Sequence, residues 1–280
     1  MKVDLTGRVA VVTGGSGVLC SEMCRALAQA GAKVAVLGRN LDKAQRVADG
    51  IVADGGTAIA VSASVTDRAA LLEAQRIVTE KLGVCDILIN GAGGNHPKGT
   101  TGKEYIEKTD FLKSDGPASL FDLEPEGIES VFRLNFIGTL LPVQIFGKAM
   151  AETGNGSIIN ISSMNAFRPL TKIPAYSGAK AAVSNLTQWL AVYFSRVGVR
   201  VNAIAPGFFL TEQNRTLLTN PDGTLTARGN TILSHTPMGK FGKPADLSGA
   251  LLFLLDDEAS GFINGVVLPV DGGFAAFSGV

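Results

Sequence analysis

Apolar residues fall along this chain in two alternating patterns, short near-continuous runs and longer stretches with helical spacing. The short runs, at 8–13, 33–38, 57–62, 85–90, 156–163, 199–205 and 265–270, are rich in Val, Ile, Leu and Ala. A strand with one wet face alternates apolar and polar residues, whereas one covered on both faces does not. Between the runs lie helical patterns at 18–30, 41–54, 67–82, 125–153, 175–197 and 244–256. Asp67 and Pro125 stand where helices begin, and Gly31, Gly83 and Gly198 where they end. This alternation predicts an α/β fold, a doubly wound parallel sheet of about seven strands with helices on both faces.

No shift in composition and no repeat divides the 280 residues, so residues 1–280 read as a single domain. Two segments break the rhythm. Residues 94–124 follow the fourth predicted strand and 208–243 the sixth, both irregular and rich in Gly, Thr and Asn or Lys. Long irregular segments in a compact domain are usually functional. Open parallel sheets bind ligands beyond the carboxyl ends of their strands. Both segments are therefore candidate substrate loops.

Composition narrows the function further. With 46% hydrophobic and 18% charged residues the chain has material for a large core and is unlike a disordered one. Lys and Arg balance Asp and Glu at 25 each, so no charge excess points to nucleic acid or membrane as a partner. Two histidines, His96 and His235, leave little for a histidine-based metal site, and no metal is expected. Three cysteines fit a reducing compartment, with Cys20 and Cys24 read as packing residues on a helix. The N-terminal apolar run is too short for a signal peptide, and LSGALLFLL is too short for a bilayer. The expectation is a soluble, cytoplasmic protein. Glycine stands out at 34 residues, about 12% against a usual 7%, without any period.

Three glycines sit at the first strand–helix junction, Thr13-Gly14-Gly15-Ser16-Gly17-Val18. Such a turn lets backbone approach a pyrophosphate, whose charge is favoured at a helix N-terminus. At the end of the second strand an acid would accept hydrogen bonds from the adenine ribose, but the chain has Gly38-Arg39-Asn40. A guanidinium there favours a 2′-phosphate, hence NADP(H) before NAD(H). Further on come Ser163 and the pair Tyr176 and Lys180, four residues apart on one helix face. A free phenol titrates near pH ~10, and a neighbouring ammonium favours its phenolate.

These pieces resemble the short-chain dehydrogenase/reductase family over essentially the whole chain. The shared motifs are the Thr13–Gly17 turn, Asn90-Gly91-Ala92-Gly93, Asn135, Ser163, Tyr176 with Lys180, Pro206-Gly207 and Val270-Asp271-Gly272-Gly273. The resemblance implies a single-domain Rossmann fold. It makes Tyr176 the acid/base, with Lys180 binding the nicotinamide ribose and lowering the phenol's pKa. Ser163 polarises the substrate carbonyl, and Asn135 supports a proton relay. Cofactor contacts would come from Gly14, Ser16, Gly17, Val18, Arg39, Asn40, Ser64, Val65, Asn90, Gly91, Ala92, Tyr176, Lys180, Pro206, Gly207, Phe209 and Thr211. The family's usual assembly implies a homotetramer paired through the helices at 125–153 and 175–197. The turn departs from the family's glycine pattern, with Val18, Leu19 and Cys20 where further glycines fall. Ser64 stands where the family usually has Asp.

NGAGGNHP at 90–97, SSMNAFRPLTKIPAYSGAK at 162–180 and GFFLTEQNR at 207–215 are similar to a subgroup of D-mannonate oxidoreductases, or fructuronate reductases. That resemblance implies a sugar-acid substrate. Asn95, His96, Asn165, Arg168, Lys172, Gln213, Asn214 and Arg215 cluster in the segments around the expected site and supply the donors and cations that such a substrate needs. A steroid or lipid pocket would be mainly apolar. Two alternatives stay open, a reductase of another polar ketone and a non-catalytic cofactor-sensing protein. No GxSxG occurs, which argues against a serine hydrolase.

Overall fold

A computed structural model describes residues 3–112, 116–211 and 214–279. Seven strands form one sheet: β1 Val9–Thr13, β2 Lys33–Gly38, β3 Thr57–Ser62, β4 Ile87–Asn90, β5 Gly156–Ile161, β6 Val199–Pro206 and β7 Val267–Val270. Every pair is parallel and the order is β3-β2-β1-β4-β5-β6-β7. The order reverses between β1 and β4, the crevice where such sheets bind ligands.

The continuous apolar runs follow from burial on both faces. Along β1 the side chains of Ala10 and Val12 enter one core with Met23, Leu27, Val34, Val36 and Leu251. Those of Val9 and Val11 enter the other, with Leu88, Phe146, Met150, Ile158 and Leu190. The first core lies under α1 Val18–Gln29, α2 Leu41–Ala53 and, late in the chain, the apolar stretch around Leu251. The second lies under α3 Arg68–Lys81 and the long helical elements on either side of β5. The edge strands β3 and β7 are the most exposed of the seven.

Helix boundaries show two corrections. The pattern at 125–153 is not one regular helix. It runs as α4 Pro125–Phe132, a π segment Arg133–Ile137 and α5 Gly138–Thr153. By length and hydropathy this 29-residue run could cross a bilayer, yet half of its most apolar 18-residue window is buried, with Phe146 and Met150 under the sheet. The second correction concerns Gly198. The next helix, α6 Pro174–Tyr193, stops four residues sooner than expected, so Gly198 does not end it. Gly31 and Gly83 do follow helix ends with positive φ, whereas Gly198 (φ 68°) crosses the turn after α5. A Cβ at 198 would overlap the Gly154 carbonyl oxygen, which explains the glycine there.

The remaining helices are α7 Arg215–Leu218, α8 Ala227–Ser234, α9 Ser248–Leu255 and α10 Asp257–Ser260. Among its described residues the segment at 94–124 holds three short 3₁₀ turns. Its start is stitched to the chain before α6 by Thr101 N–H donating to the Lys172 carbonyl at 2.8 Å. Lys172 has φ 71°, the left-handed conformation that a non-glycine residue adopts rarely.

Candidate active site

The site forms where the carboxyl ends of β1, β4, β5 and β6 meet. Thr13 ends β1, and its Oγ1 accepts from Gly91 N–H (3.1 Å) and Ala92 N–H (3.3 Å), locking the turns after β1 and β4 together. Gly14 has φ 64°, and a Cβ on it would stand 2.9 Å from Ala92. Gly17 is the N-cap of α1. No side chain caps that terminus, and no acid occupies its first turn. Its free N–H groups and positive dipole end therefore face the crevice, a fit for the pyrophosphate of a dinucleotide. Ser16 and Val18 flank this turn, half-buried.

Around the adenine end the expected residues divide. Arg39 is exposed beside Gly38. Asn40 is occupied as the N-cap of α2, its Oδ1 accepting from Lys43 N–H at 2.9 Å. Ser64 Oγ shares a hydrogen bond with Thr66 Oγ1 (3.1 Å). Val65 is buried with its side chain against Gly138. The Asn90 side-chain amide turns into the sheet. Nδ2 donates to Asn160 Oδ1 (2.9 Å), and Asn160 Nδ2 donates to Thr187 Oγ1 (2.9 Å). The buried chain ties β4 to β5 and α6.

Ser163, two residues beyond β5, is buried and caps a 3₁₀ turn, Met164–Ala166, with Oγ accepting from Asn165 N–H at 3.3 Å. Pro174 opens α6, whose first turns carry Tyr176 and Lys180 on one face. Lys180 is 5% exposed and its Nζ donates to the Ile161 carbonyl at 2.8 Å. That ammonium lies 5.6 Å from the Tyr176 ring centroid. Burial pushes the Lys180 pKa down from 10.5 to about 8.

The phenol does not behave as expected. Burial raises the Tyr176 pKa, and the group opposing that rise is the hydrogen-bonded Ser163 hydroxyl, not Lys180. Lys180 is not among the groups opposing the rise, and its Nζ donates to the Ile161 carbonyl.

Asn135 sits in the π segment, a distortion that recurs at functional sites. Its Nδ2 donates to the Gly94 carbonyl (2.7 Å) and the Val131 carbonyl (2.8 Å), and its Oδ1 accepts from Gly94 N–H (3.2 Å). A Cβ on Gly93 would stand 2.7 Å from Asn135 Oδ1 and 3.2 Å from Lys180 Nζ. The two side chains thus converge on one point above Gly93.

The far side of the crevice is built by the chain after β6. Pro206 is buried at the strand's end, and a Cβ on Gly207 would stand 2.6 Å from Asp271. Phe209 is buried, and Thr211 N–H donates to Asn214 Oδ1 at 2.8 Å. Asn214 Nδ2 donates to the Phe209 carbonyl at 2.8 Å. Asn214, expected at the substrate, has both ends of its amide spent on closing this loop. Gln213 lies outside the described residues.

Of the other substrate candidates, Asn95 is exposed with Nδ2 on Thr100 Oγ1 (2.9 Å). His96 accepts Lys98 N–H at Nδ1 (3.2 Å), which leaves Nε2 to carry the proton of the neutral ring. Asn165 is 4% exposed with an unpartnered Oδ1. Arg168 donates through Nε to the Ala275 carbonyl at 3.2 Å, and Arg215 opens α7.

Cys20 packs as its sequence context suggests, and one feature of the C-terminus escaped sequence reasoning. Cys20 fills the space beneath the turn after β4, where a Cβ on Gly91 would overlap its Sγ. Burial raises its pKa to about 11, and the nearby Lys180 charge opposes the rise. The C-terminal residues 271–277 fold back over the loop after β6, with Phe274 edge-on to Phe208 at 5.4 Å and near His235 at 6.5 Å. The aromatic spacing in FAAF was the available signal.

A parallel sheet with a glycine turn at its reversal point, a Ser–Tyr–Lys–Asn group beside it and an open crevice defines a nucleotide-dependent oxidoreductase. Comparison agrees, since a profile of the short chain dehydrogenase family matches residues 8–222. The chain belongs to the short-chain dehydrogenase family and is an NAD(P)-dependent oxidoreductase. It is 52% identical over 277 residues to the uncharacterized oxidoreductase UxuB of Bacillus subtilis, covering 99% of this chain and 98% of that one. A solved Haemophilus influenzae structure, provisionally assigned as a D-mannonate oxidoreductase and holding NAD, superposes with a TM-score of 0.93 at 53% identity, covering 99% and 98% of the two chains. A Burkholderia cenocepacia gluconate 5-dehydrogenase, solved with NADP and tartrate, superposes with a TM-score of 0.83 at 30% identity, covering 99% and 98%.

Proposed function

We propose that this enzyme interconverts the keto and hydroxy forms of a sugar acid, the D-fructuronate/D-mannonate pair. The observation that carries the reading is the convergence of Ser163, Tyr176, Lys180 and Asn135 beside a dinucleotide cradle, in segments bearing Asn95, His96, Asn165, Arg168 and Lys172. The relatives assigned to mannonate and gluconate support the substrate class.

The nicotinamide, when bound, supplies or accepts the hydride. Tyr176 Oη moves the proton to and from the substrate oxygen, and Ser163 Oγ donates a hydrogen bond that stabilises charge developing there. Lys180 holds the ribose, with its Nζ 5.6 Å from the phenol ring centroid. Asn135 keeps Lys180 in contact with a proton path to solvent. Gly14, Ser16, Gly17 and Val18 bind the pyrophosphate, and Ser64, Val65, Gly91 and Ala92 border the adenosine half. Pro206, Gly207, Phe209 and Thr211 line the nicotinamide. Arg39 supports NADP(H), while the NAD in the relative at 53% identity supports NAD(H); we infer that both bind.

We also infer a homotetramer. On α6, Trp189 stacks on Tyr193 with centroids 4.8 Å apart, and both are exposed with Val192. Such a patch on a core helix suits a subunit contact, and light scattering on the purified enzyme tests it. The substrate reading is tested by following nicotinamide absorbance with D-fructuronate, D-mannonate, other sugar acids and neutral polyols. Turnover of D-fructuronate above the rest supports it, and turnover confined to polyols refutes it.

A further inference from the structure

Arg168 lies in the segment that leaves β5 after Ser163 and returns to Tyr176. Its Nε donates to the Ala275 carbonyl at 3.2 Å, and Ala275 lies beyond β7. In the sheet β6 lies between β5 and β7, so this bond spans the carboxyl end of β6, where Gly207 and Phe208 leave. The exposed Arg168 side chain therefore lies on the β6 side of the crevice.

The partner segment is itself held firmly. Asp271 accepts from Gly273 N–H (2.9 Å) and Ala275 N–H (2.8 Å), which fixes the turn that presents the Ala275 carbonyl. Met238 N–H donates to the Gly272 carbonyl at 3.1 Å, and the Phe274 ring packs on Phe208. Among the described residues no carboxylate pairs with Arg168. A guanidinium anchored through Nε keeps its Nη groups in a fixed plane, the arrangement that receives a carboxylate with little loss of side-chain freedom. Arg215 already has an interaction of its own. Lys172 offers a point charge on a flexible stem.

We propose that Arg168 binds the substrate carboxylate and that residues 271–277 are part of the substrate site, positioning Arg168 through the Ala275 carbonyl. The inference rests on the sugar-acid reading. It makes the C-terminal segment a determinant of acid over polyol selectivity.

The test compares binding of D-mannonate and of its uncharged counterpart D-mannitol to the NADH-loaded enzyme, in the unsubstituted chain and in Arg168→Gln, Arg168→Lys and Phe274→Ala. NADH affinity of each variant reports that it is folded. Arg168→Gln weakens D-mannonate at least about tenfold more than D-mannitol, the loss of one charge-assisted contact. Arg168→Lys recovers only part, and Phe274→Ala moves selectivity the same way by loosening the anchor. Equal losses for acid and polyol in Arg168→Gln overturn the subsite while leaving the sugar-acid reading intact. Unchanged selectivity in Phe274→Ala overturns the positioning role. An unsubstituted enzyme that binds D-mannitol and rejects sugar acids overturns the underlying reading, and the inference with it.

Discussion

Lys180 Nζ lies 5.6 Å from the Tyr176 ring centroid while donating to the Ile161 carbonyl at 2.8 Å, so the ammonium is beside the phenol but fastened to the end of β5. The geometry ties Lys180, beside Tyr176, to the sheet rather than to the loops around it. Tyr176→Phe removes the proposed proton carrier and leaves that framework in place. Turnover should fall by about 10²–10⁴-fold or more, the usual worth of a positioned acid/base, with little change in the dissociation constant for NADH or NADPH. Single-turnover kinetics beside a fluorescence titration of the cofactor separates the two.

The buried Lys180 gives the fold a pH dependence with a definite sign. Its pKa drops from 10.5 to about 8 on folding. Between those values the unfolded chain holds a proton that the folded one lacks. Stability therefore rises with pH across that window from this group, and below about pH 8 its burial opposes folding by about 3 kcal/mol. Lys180→Met removes the term. Urea unfolding of both proteins at pH 7.5 and near 10.5 should show the difference shifting in favour of the unsubstituted enzyme as pH rises. A difference independent of pH refutes the perturbed lysine.

The Cys20 thiol and Gly91 are coupled by space. A Cβ at 91 overlaps Cys20 Sγ and stands 2.9 Å from the Thr13 carbonyl oxygen, but 3.6 Å from Cys20 Cβ, an ordinary contact. Gly91→Ala should destabilise by about 1–3 kcal/mol through overpacking. Adding Cys20→Ala should recover part of that loss, because the Thr13 contact persists. A double-mutant cycle with no interaction energy between the two sites contradicts the packing account.

Much of the fold was legible because burial on both sheet faces writes itself as unbroken apolar runs. β1, β2 and β6 show this, and the Tyr176/Lys180 spacing needs only helix geometry. The π segment was not legible: Arg133–Ile137 is as apolar as the turns around it, and one extra residue leaves no mark on periodicity. The side-chain partner of Asn90 was not legible because Asn160 is seventy positions away and known only once β4 and β5 pair. Asn214 was misread for the opposite reason. Its bonds to Thr211 and Phe209 are local, and a short polar side chain in a loop often serves its own backbone.

On the proposed cofactor reading, Arg39 decides how the two cofactors compare. It stands exposed after Gly38, and residues 38–40 hold no acid that would repel a 2′-phosphate. Asn40 is held as the α2 cap, so Arg39 is the cation available at this corner. A guanidinium meets a phosphate through charge-assisted hydrogen bonds, each worth about 1.5–3 kcal/mol. NADH offers only a hydroxyl at that place. Arg39→Ala should therefore raise the NADPH dissociation constant about tenfold or more and leave that for NADH nearly unchanged. Raising ionic strength should erode the NADPH affinity of the unsubstituted enzyme more steeply than that of the variant, since an exposed pair is screened by salt. Equal losses for the two cofactors on titration would place the 2′-phosphate elsewhere and make Arg39 a surface residue.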